Sequence, residues 1–248
     1  MEDKSLNKYI SETGICSRRE ADKWIDEGRV TINGVVAQKG NRVTDADVVL
    51  LDHKPLIIKP EVVYIAFNKP QGITCTTDLK DPSNIIDYLR FEQRIFPIGR
   101  LDKPSDGLIF LTNDGDIVNK ILRAGNNHEK EYVVTLTQDF DDDFIEKMSR
   151  GIHILDTVTQ PCKVYREAPN KFRIILTQGL NRQIRRMCEA LNYQVRSLTR
   201  VRIMNITLRN LPMGRWRYFT PEEIKTINEL VEDSSKTKEA SEIGTFLR

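Results

Sequence analysis

Short apolar runs that end in turn signals dominate the chain from residue 62 onward. The runs at 62–67 and 108–111 have the length of strands, and each is followed by asparagine together with glycine or proline. The runs at 162–166 and 172–176 flank a turn and predict a hairpin. Strands joined in this way and interrupted by single helices predict an α+β fold on a largely antiparallel mixed sheet flanked by helices. Helical patterns lie between the strands at 116–123, 141–150 and 181–191.

The first 52 residues carry a separate pattern of two short helices and a small sheet. A helical pattern at 5–13 is followed by Ser17-Arg18-Arg19-Glu20, a capping box in which the serine hydroxyl caps the next helix. Asn33-Gly34 is a strong hairpin turn between apolar strand residues, and a further strand is predicted at 48–51. We therefore predict a compact N-terminal module over residues 1–52.

Composition changes mark the remaining boundaries. Pro55 and Pro60 indicate a linker at 53–61, which leads to a second domain at 62–232. From residue 233 the chain is polar and rich in serine, lysine and glutamate, so we expect residues 233–248 to form a disordered tail.

Several classes of protein are excluded by composition. No apolar run reaches the roughly 18–20 residues that a membrane helix needs, and no secretory signal opens the chain, so we expect a cytoplasmic protein without a membrane partner. The four cysteines are far apart and the three histidines are not spaced as ligands, which argues against disulfides and metal sites. No glycine-rich phosphate loop or dinucleotide fingerprint appears, so no cofactor is expected.

Arginines are concentrated between Leu180 and Arg217. This segment holds nine arginines, no lysine and one acid, Glu189. Arginine is the better bidentate partner of phosphate and also stacks on bases, so the segment favours a nucleic-acid surface. The alternative is a solvated basic face that is paired with acids elsewhere in the chain.

Arg18 and Arg19 lie in the first turn of a predicted helix, where the helix dipole disfavours cations. Two cations at this position indicate an external anion such as phosphate, which a helix N-terminus also binds. The alternative is chance, because exposed arginines there cost only about tenths of a kcal/mol.

The segment Gly99-Arg100-Leu101-Asp102 lies between two predicted strands and is followed by Pro104, Ser105 and Gly107. Taken alone, Asp102 is more often a turn residue than a nucleophile, because aspartate is a favoured turn former. Tyr132, on a predicted strand, reads as a core residue when it is considered without its neighbours.

These segments together resemble known families. Residues 4–52, with Asn7-Lys8-Tyr9, Ser17-Arg18-Arg19-Glu20 and Asn33-Gly34, resemble the alpha-L RNA-binding domain of a ribosomal protein. Gly99-Arg100-Leu101-Asp102, Lys130-Glu131-Tyr132 and the run 178–187 resemble the pseudouridine synthases of the RsuA/RluB/RluE/RluF group, in particular its RluF branch. The resemblance spans residue 4 to about 232. Leu180 departs from it, since many relatives carry a basic residue there, and we assign it no charge role.

The resemblance implies an enzyme that converts uridine to pseudouridine in large-subunit (23S) ribosomal RNA, with transfer RNA as a further candidate substrate. It implies that Asp102 is the nucleophile, that Tyr132 stacks on the flipped uracil, that Arg185 pairs with Asp102 and that Arg100 fills the space left in the RNA. It also implies a monomer that needs no cofactor or metal. The residues expected to contact RNA besides Arg100 are Lys8, Arg18, Arg19, Asn181, Arg182 and Arg186.

Two alternatives remain open at this point. A non-catalytic RNA-binding protein would explain the N-terminal module and the arginines, but not the Arg100–Asp102 loop. A glycosidase-type hydrolase with Asp102 and Asp106 as a carboxylate pair would explain the acids, but not the arginines.

Overall fold

The computed structural model describes residues 3–56, 60–122 and 127–232. The predicted tail at 233–248 and part of the predicted linker lie outside the described residues. The helices are α1 (Leu6–Glu12), α2 (Arg18–Asp26), α3 (Ile85–Leu89), α4 (Gly115–Leu122), α5 (Asp142–Arg150), α6 (Gln183–Ala190) and α7 (Pro221–Glu232).

The described residues fold into two compact units. One unit comprises the described part of 1–63 with 91–95 and 113–115, and the other comprises the remaining described residues. The strands of the first unit are β1 (Lys4–Ser5), β2 (Val30–Ile32), β3 (Val35–Val36), β4 (Arg42–Val43), β5 (Val49–Leu51) and β6 (Lys54–Pro55).

The first unit packs α1 and α2 with a four-stranded sheet of order β3-β2-β5-β6 and a pair formed by β1 and β4. The Ser17 hydroxyl accepts a hydrogen bond from the Glu20 backbone N–H at 3.1 Å, which confirms the predicted N-cap. Asn33 and Gly34 both have positive φ, 50° and 85°, as a two-residue hairpin turn requires. Strand β6 pairs with β5 inside the segment predicted as a linker, so the sheet extends past residue 52. The domain boundaries stay predictions.

The second unit contains β7 (Tyr64–Lys69), β8 (Phe96–Ile98), β9 (Asp106–Thr112), β10 (Lys130–Leu136), β11 (His153–Ile154), β12 (Thr157–Val158), β13 (Lys163–Ala168), β14 (Lys171–Leu176), β15 (Val195–Ile203), β16 (Ile206–Thr207) and β17 (Trp216–Tyr218). Nine of these strands form one sheet, whose main order is β13-β14-β10-β15-β9-β7-β17. Every pairing in this sheet is antiparallel except the parallel contact of β9 with β15. The predicted α+β fold on a largely antiparallel mixed sheet is therefore confirmed.

Two hydrophobic clusters lie on opposite faces of this sheet. On one face, Phe144 of α5 and Met187 of α6 pack against alternate residues of β10 and β14. On the other face, Ile117 of α4 and Ile227 of α7 pack against β7 and β9. We call the face that carries α6 the α6 face.

The parallel contact depends on Gly107, which is paired with Arg200 of β15. Gly107 has φ of +106°, and a Cβ built on it would lie 2.3 Å from the Arg200 carbonyl oxygen. No larger residue fits there without moving the backbone, so this glycine brings β9 and β15 together.

Sequence reasoning missed α3, β8 and β17, which have only five, three and three residues. Elements this short have too few residues to display a helix or strand period, and they form because their neighbours hold them in place. Helix α6 begins at Gln183 instead of Asn181, because Arg182 adopts a left-handed conformation with φ of 51°.

Candidate active site

The loop of residues 99–105, which connects β8 to β9, presents Asp102 at one end of the sheet. Its turn is closed by the Ser105 N–H, which donates to the Asp102 carbonyl at 3.0 Å. The loop is tied to neighbouring segments by the Leu101 N–H, which donates to the Cys75 Sγ at 3.4 Å, and by the Gly72 N–H, which donates to the Lys103 carbonyl at 2.8 Å. Asp102 thus has the turn position expected of an aspartate, on a well-anchored loop.

Helix α6 and the residue that precedes it place two arginines, Arg185 and Arg182, beside the Asp102 carboxylate. The Arg185 Nε and the Arg182 Nη1 each lie 3.7 Å from the same carboxylate oxygen. The Arg185 side chain is 10% exposed, whereas that of Arg182 is 40% exposed. The expected approach of Arg185 to Asp102 is therefore present, and Arg182 joins it, although it was expected to face the RNA backbone.

Arg185 also holds the loop itself. Its Nη2 donates to the Ser105 hydroxyl at 3.0 Å and to the Pro104 carbonyl at 3.4 Å. Burial lowers the pKa of Arg185 below its ordinary value, while the charge of Asp102 acts in the opposite direction. Among the described residues its buried Nε has no hydrogen-bond partner.

Tyr132 reaches the same region from β10. It is paired with Arg200 of β15, whose guanidinium carbon lies 6.0 Å from the centre of the tyrosine ring. Arg200 is buried, its Nε donates to the Leu108 carbonyl at 2.6 Å and its Nη1 donates to the Arg100 carbonyl at 3.5 Å. One buried arginine therefore connects Tyr132 to the loop that carries Asp102.

Two buried lysines add positive charge to this region. Lys69, at the end of β7, donates from its Nζ to the carbonyls of Pro70 and Ile73 at 2.8 and 2.9 Å. Its pKa is lowered by burial, against the opposing charges of groups that include Asp102. Burial, assisted by the charge of Arg200, lowers the pKa of Lys130 to about 8. Buried groups with perturbed pKa values near a carboxylate are typical of a functional site, and Lys69 is such a group, whereas Lys130 interacts with Arg200.

Three of the residues expected to contact RNA, Arg100, Asn181 and Arg186, belong to the second unit. Arg100 is exposed on the loop. Arg186 donates to Asn181, from its Nε to the carbonyl at 3.1 Å and from its Nη2 to the side-chain oxygen at 3.3 Å. These two residues therefore form a local pair at the start of α6.

In the first unit, Arg18 and Arg19 are both exposed at the start of α2. Arg18 Nη2 lies 3.2 Å from the side-chain oxygen of Asn7, and Lys8 Nζ lies 3.6 Å from a carboxylate oxygen of Glu12. The side chains of Arg18 and Arg19 are thus open to an anion at a helix N-terminus.

Sequence reasoning missed Lys69, Ser105 and Arg200 as parts of the site. Arg200 was counted only as one of nine arginines, and Ser105 only as a motif residue. Their roles depend on strands that are distant in sequence, so no local signal marks them. The break after a buried strand at Asn68-Lys69-Pro70 was the one available hint for Lys69.

Across the residues that the structure describes, no helix is long and apolar enough to cross a membrane. The same residues contain no cluster of three potential metal ligands drawn from histidine, cysteine, aspartate and glutamate.

Two family models match this chain. The family model described as RNA pseudouridylate synthase matches residues 63–190, and the S4 domain model matches residues 5–49. The crystal structure of a pseudouridylate synthase has a TM-score of 0.66 and 28% identity, and the match covers 90% of this chain and 99% of that one.

Similar proteins are also named as pseudouridine synthases. The dual-specificity RNA pseudouridine synthase RluF of Escherichia coli (strain K12) is 55% identical, over 93% of this chain and 80% of its own length. Ribosomal large subunit pseudouridine synthase B of Bacillus subtilis (strain 168) is 34% identical, over 92% of this chain and 96% of its own length. These matches remove the non-catalytic and hydrolase alternatives. The chain belongs to the RNA pseudouridylate synthase family, with an N-terminal S4 domain, and is an RNA pseudouridine synthase, an isomerase.

Proposed function

We propose that this enzyme isomerises a uridine of large-subunit (23S) ribosomal RNA, with Asp102 as the nucleophile. The substrate is supported by the name of the Bacillus subtilis relative, which is a ribosomal large subunit enzyme. A second RNA, for which transfer RNA is the candidate, is supported by the words "dual-specificity" in the name of the Escherichia coli relative. The observation that carries the chemistry is the Asp102 carboxylate, anchored in its loop and paired with Arg185 of α6 and with Arg182, which precedes α6.

The reaction needs no co-reactant. The bond between N1 of uracil and C1′ of ribose breaks, and a bond between C5 and C1′ forms. C5 loses its proton and N1 gains one, so atoms and electrons balance within the nucleotide. A carboxylate in a site with little water tends to take up a proton and lose its nucleophilicity, and an adjacent guanidinium favours its charged form. Arg185, at 3.7 Å and nearly buried, is the better placed of the two arginines for this role.

The target base must leave the RNA stack before Asp102 can reach it, which costs a few kcal/mol. Arg100 is exposed two residues before Asp102, and a planar guanidinium can stack in the space that the base leaves. Tyr132 stacks on the flipped uracil and assists proton transfer at C5. Its ring is supported by Arg200, which also contacts the Arg100 carbonyl, so both roles depend on one buried residue.

Binding of folded RNA is assigned to cationic and polar side chains that are exposed or partly exposed. Arg18, Arg19 and Lys8 of the S4 domain take phosphates, with the N-terminus of α2 contributing its backbone N–H groups. Arg186 and Asn181 contact the backbone near the target, and Arg182 contacts both the RNA and Asp102. Such contacts position the RNA and carry little sequence information.

Conversion of 23S ribosomal RNA transcripts that carry tritium at C5 of uridine tests the assignment. The wild-type enzyme should release tritium and leave pseudouridine, without free uracil. Asp102→Asn is nearly isosteric and should abolish release while RNA affinity stays within a few-fold, because binding depends on phosphate contacts elsewhere. Asp139→Asn, at an exposed aspartate before α5, is the matched control and should behave as wild type. Turnover by Asp102→Asn above about a tenth of the wild-type rate would refute the nucleophile assignment.

A further inference from the structure

Three aromatic side chains are exposed near one edge of the nine-stranded sheet. Trp216 and Tyr218 lie on the edge strand β17, 37% and 54% exposed, with ring centres 5.3 Å apart. Tyr88 of α3 is also exposed. Burial of aromatic rings is strongly favourable, so a group of exposed rings on one surface indicates a binding partner.

Strand register places these rings on the same face of the sheet as Tyr132. Tyr132 is paired with Arg200, and Arg200 with Gly107. Gly107 is paired with Lys69, and Phe67, two residues before Lys69, is paired with Trp216. Paired residues in a sheet point to the same face, as do residues two apart on one strand. Trp216 and Tyr218 therefore lie on the α6 face, which carries Tyr132 and Arg200.

The aromatic group is also at the same end of the sheet as the Asp102 loop. Lys69 and Gly107, which adjoin that loop, form the last register pair of β7 and β9. The Asn68 N–H, next to Lys69, donates to the Arg215 carbonyl at 3.0 Å. RNA that enters the site on this face would therefore pass close to Trp216.

Local structure keeps the rings together. Tyr88 packs on the buried Phe67 with ring centres 5.7 Å apart. Gly214 has φ of +76°, and a Cβ built on it would lie 2.6 Å from the Tyr88 hydroxyl oxygen. The segment before β17 thus approaches Tyr88 as closely as a glycine allows. Arg90, at the end of α3, and Arg215 are exposed beside these rings in sequence and can serve as phosphate partners.

We propose that Trp216 and Tyr218, flanked by Tyr88, form a stacking platform for unpaired nucleotides next to the target uridine. The substrate class rests on the proposed function. Aromatic side chains with nearby arginines are how proteins hold single-stranded RNA, and each stacked base contributes about 1–3 kcal/mol. Because these rings lie on the α6 face together with Tyr132 and Arg200, RNA is favoured over a protein partner.

Tryptophan fluorescence provides a direct test that does not depend on catalysis. The chain has two tryptophans, Trp24 and Trp216, so Trp24→Phe leaves Trp216 as the single emitter. Titration of this variant with a short oligouridylate should quench its fluorescence if bases stack on Trp216. Absence of quenching at oligouridylate concentrations that saturate binding would overturn the proposal.

Steady-state kinetics on the 23S transcript provide a second test. Trp216→Ala and Tyr218→Ala should each raise KM about 5-fold or more with kcat retained, whereas Trp216→Phe and Tyr218→Phe should remain near wild type. Tyr165→Ala is the matched control, since Tyr165 is 51% exposed on the opposite edge strand. Tyr165 is paired with Arg173, and Arg173 is paired with Val133. Since Val133 is next to Tyr132 on β10, Tyr165 lies on the face of the sheet opposite to the α6 face.

The outcomes separate the two proposals. If 23S RNA is not modified by the wild-type enzyme but Trp216 is quenched by oligouridylate, the proposed substrate fails and the platform stands. If 23S RNA is modified but Trp216→Ala and Tyr218→Ala match Tyr165→Ala in KM, the platform fails. Thermal melting of each variant shows whether it is folded. If an alanine variant is not folded, the fluorescence titration still tests stacking on Trp216, because it uses neither alanine variant.

Discussion

Replacing Arg185 by methionine tests what its ion pair with Asp102 contributes to catalysis. Methionine retains the unbranched stem of Arg185 and removes its charge, together with the hydrogen bonds to Ser105 and Pro104. The other arginine paired with Asp102 is Arg182, which is four times as exposed as Arg185. We expect kcat to fall, because the carboxylate loses its less solvated cationic neighbour.

The distance in the structure sets the size of this effect. Opposite unit charges 3.7 Å apart attract by about 4.5 kcal/mol at an effective dielectric constant of about 20, and by about 1.1 kcal/mol at that of water. Since about 1.4 kcal/mol corresponds to a tenfold change in rate, loss of this contact should lower kcat by about 10- to 1,000-fold. For Arg182→Met the value for water applies, because solvent screens an exposed pair, and kcat should fall by less than about 10-fold.

The assay is single-turnover tritium release under conditions in which the enzyme and the RNA stay folded. Arg185→Lys is the control for charge, since it keeps a cation but cannot reproduce the planar contacts to the loop. Its rate should fall less than that of Arg185→Met. Arg186→Met is the control for RNA contact, and it should raise KM and reduce the salt dependence while kcat stays unchanged.

The rates of Arg185→Met and Arg182→Met test this reasoning. If Arg185→Met loses affinity but keeps turnover, the pair with Asp102 is not what maintains the nucleophile. If Arg182→Met lowers kcat as much as Arg185→Met does, the difference in exposure does not control the interaction.

Two further predictions concern parts of the molecule away from Asp102. Lys130 has a pKa of about 8 in the folded protein, against an ordinary value of 10.5. Burial of its charge therefore lowers the free energy of unfolding by up to about 3 kcal/mol below pH 8. This cost disappears as the pH rises to 10.5, because the unfolded chain then also loses the proton. In urea denaturation, Lys130→Met should therefore be more stable than wild type at pH 7 and lose this advantage towards pH 10.5; a pH-independent difference would contradict the buried charge. In the S4 domain, the double change Arg18→Ala with Arg19→Ala should reduce the slope of log affinity against log salt by about 0.7–0.9 for each phosphate that the variant no longer binds. Lys23→Ala, at the other end of α2, is the control, and equal slopes for both variants would remove the phosphate role of the two arginines.

Local signals were enough to predict the fold class and many of the elements. The Ser17 cap, the Asn33-Gly34 turn and the hairpin around residue 169 depend on residues close in sequence, and each forms as predicted. The position of Asp102 in a turn between two strands has the same origin, since glycine and proline at fixed spacing leave the backbone few conformations. The family motifs are also short and local, which is why the activity could be predicted from the sequence.

Strand pairing over long sequence distances decided the rest. Arg200 meets the loop of Asp102 across about 100 residues, and it does so only because Gly107 allows β9 and β15 to pair in parallel. The left-handed conformation of Arg182 brings a second cation to Asp102, which helical periodicity does not predict. Trp216 lies on the α6 face through a series of pairings, and a one-residue slip in a single pair would turn it to the other face. Sequence alone thus determined which residues are capable of the chemistry, whereas tertiary structure determined which of them meet, because their proximity depends on contacts between distant strands.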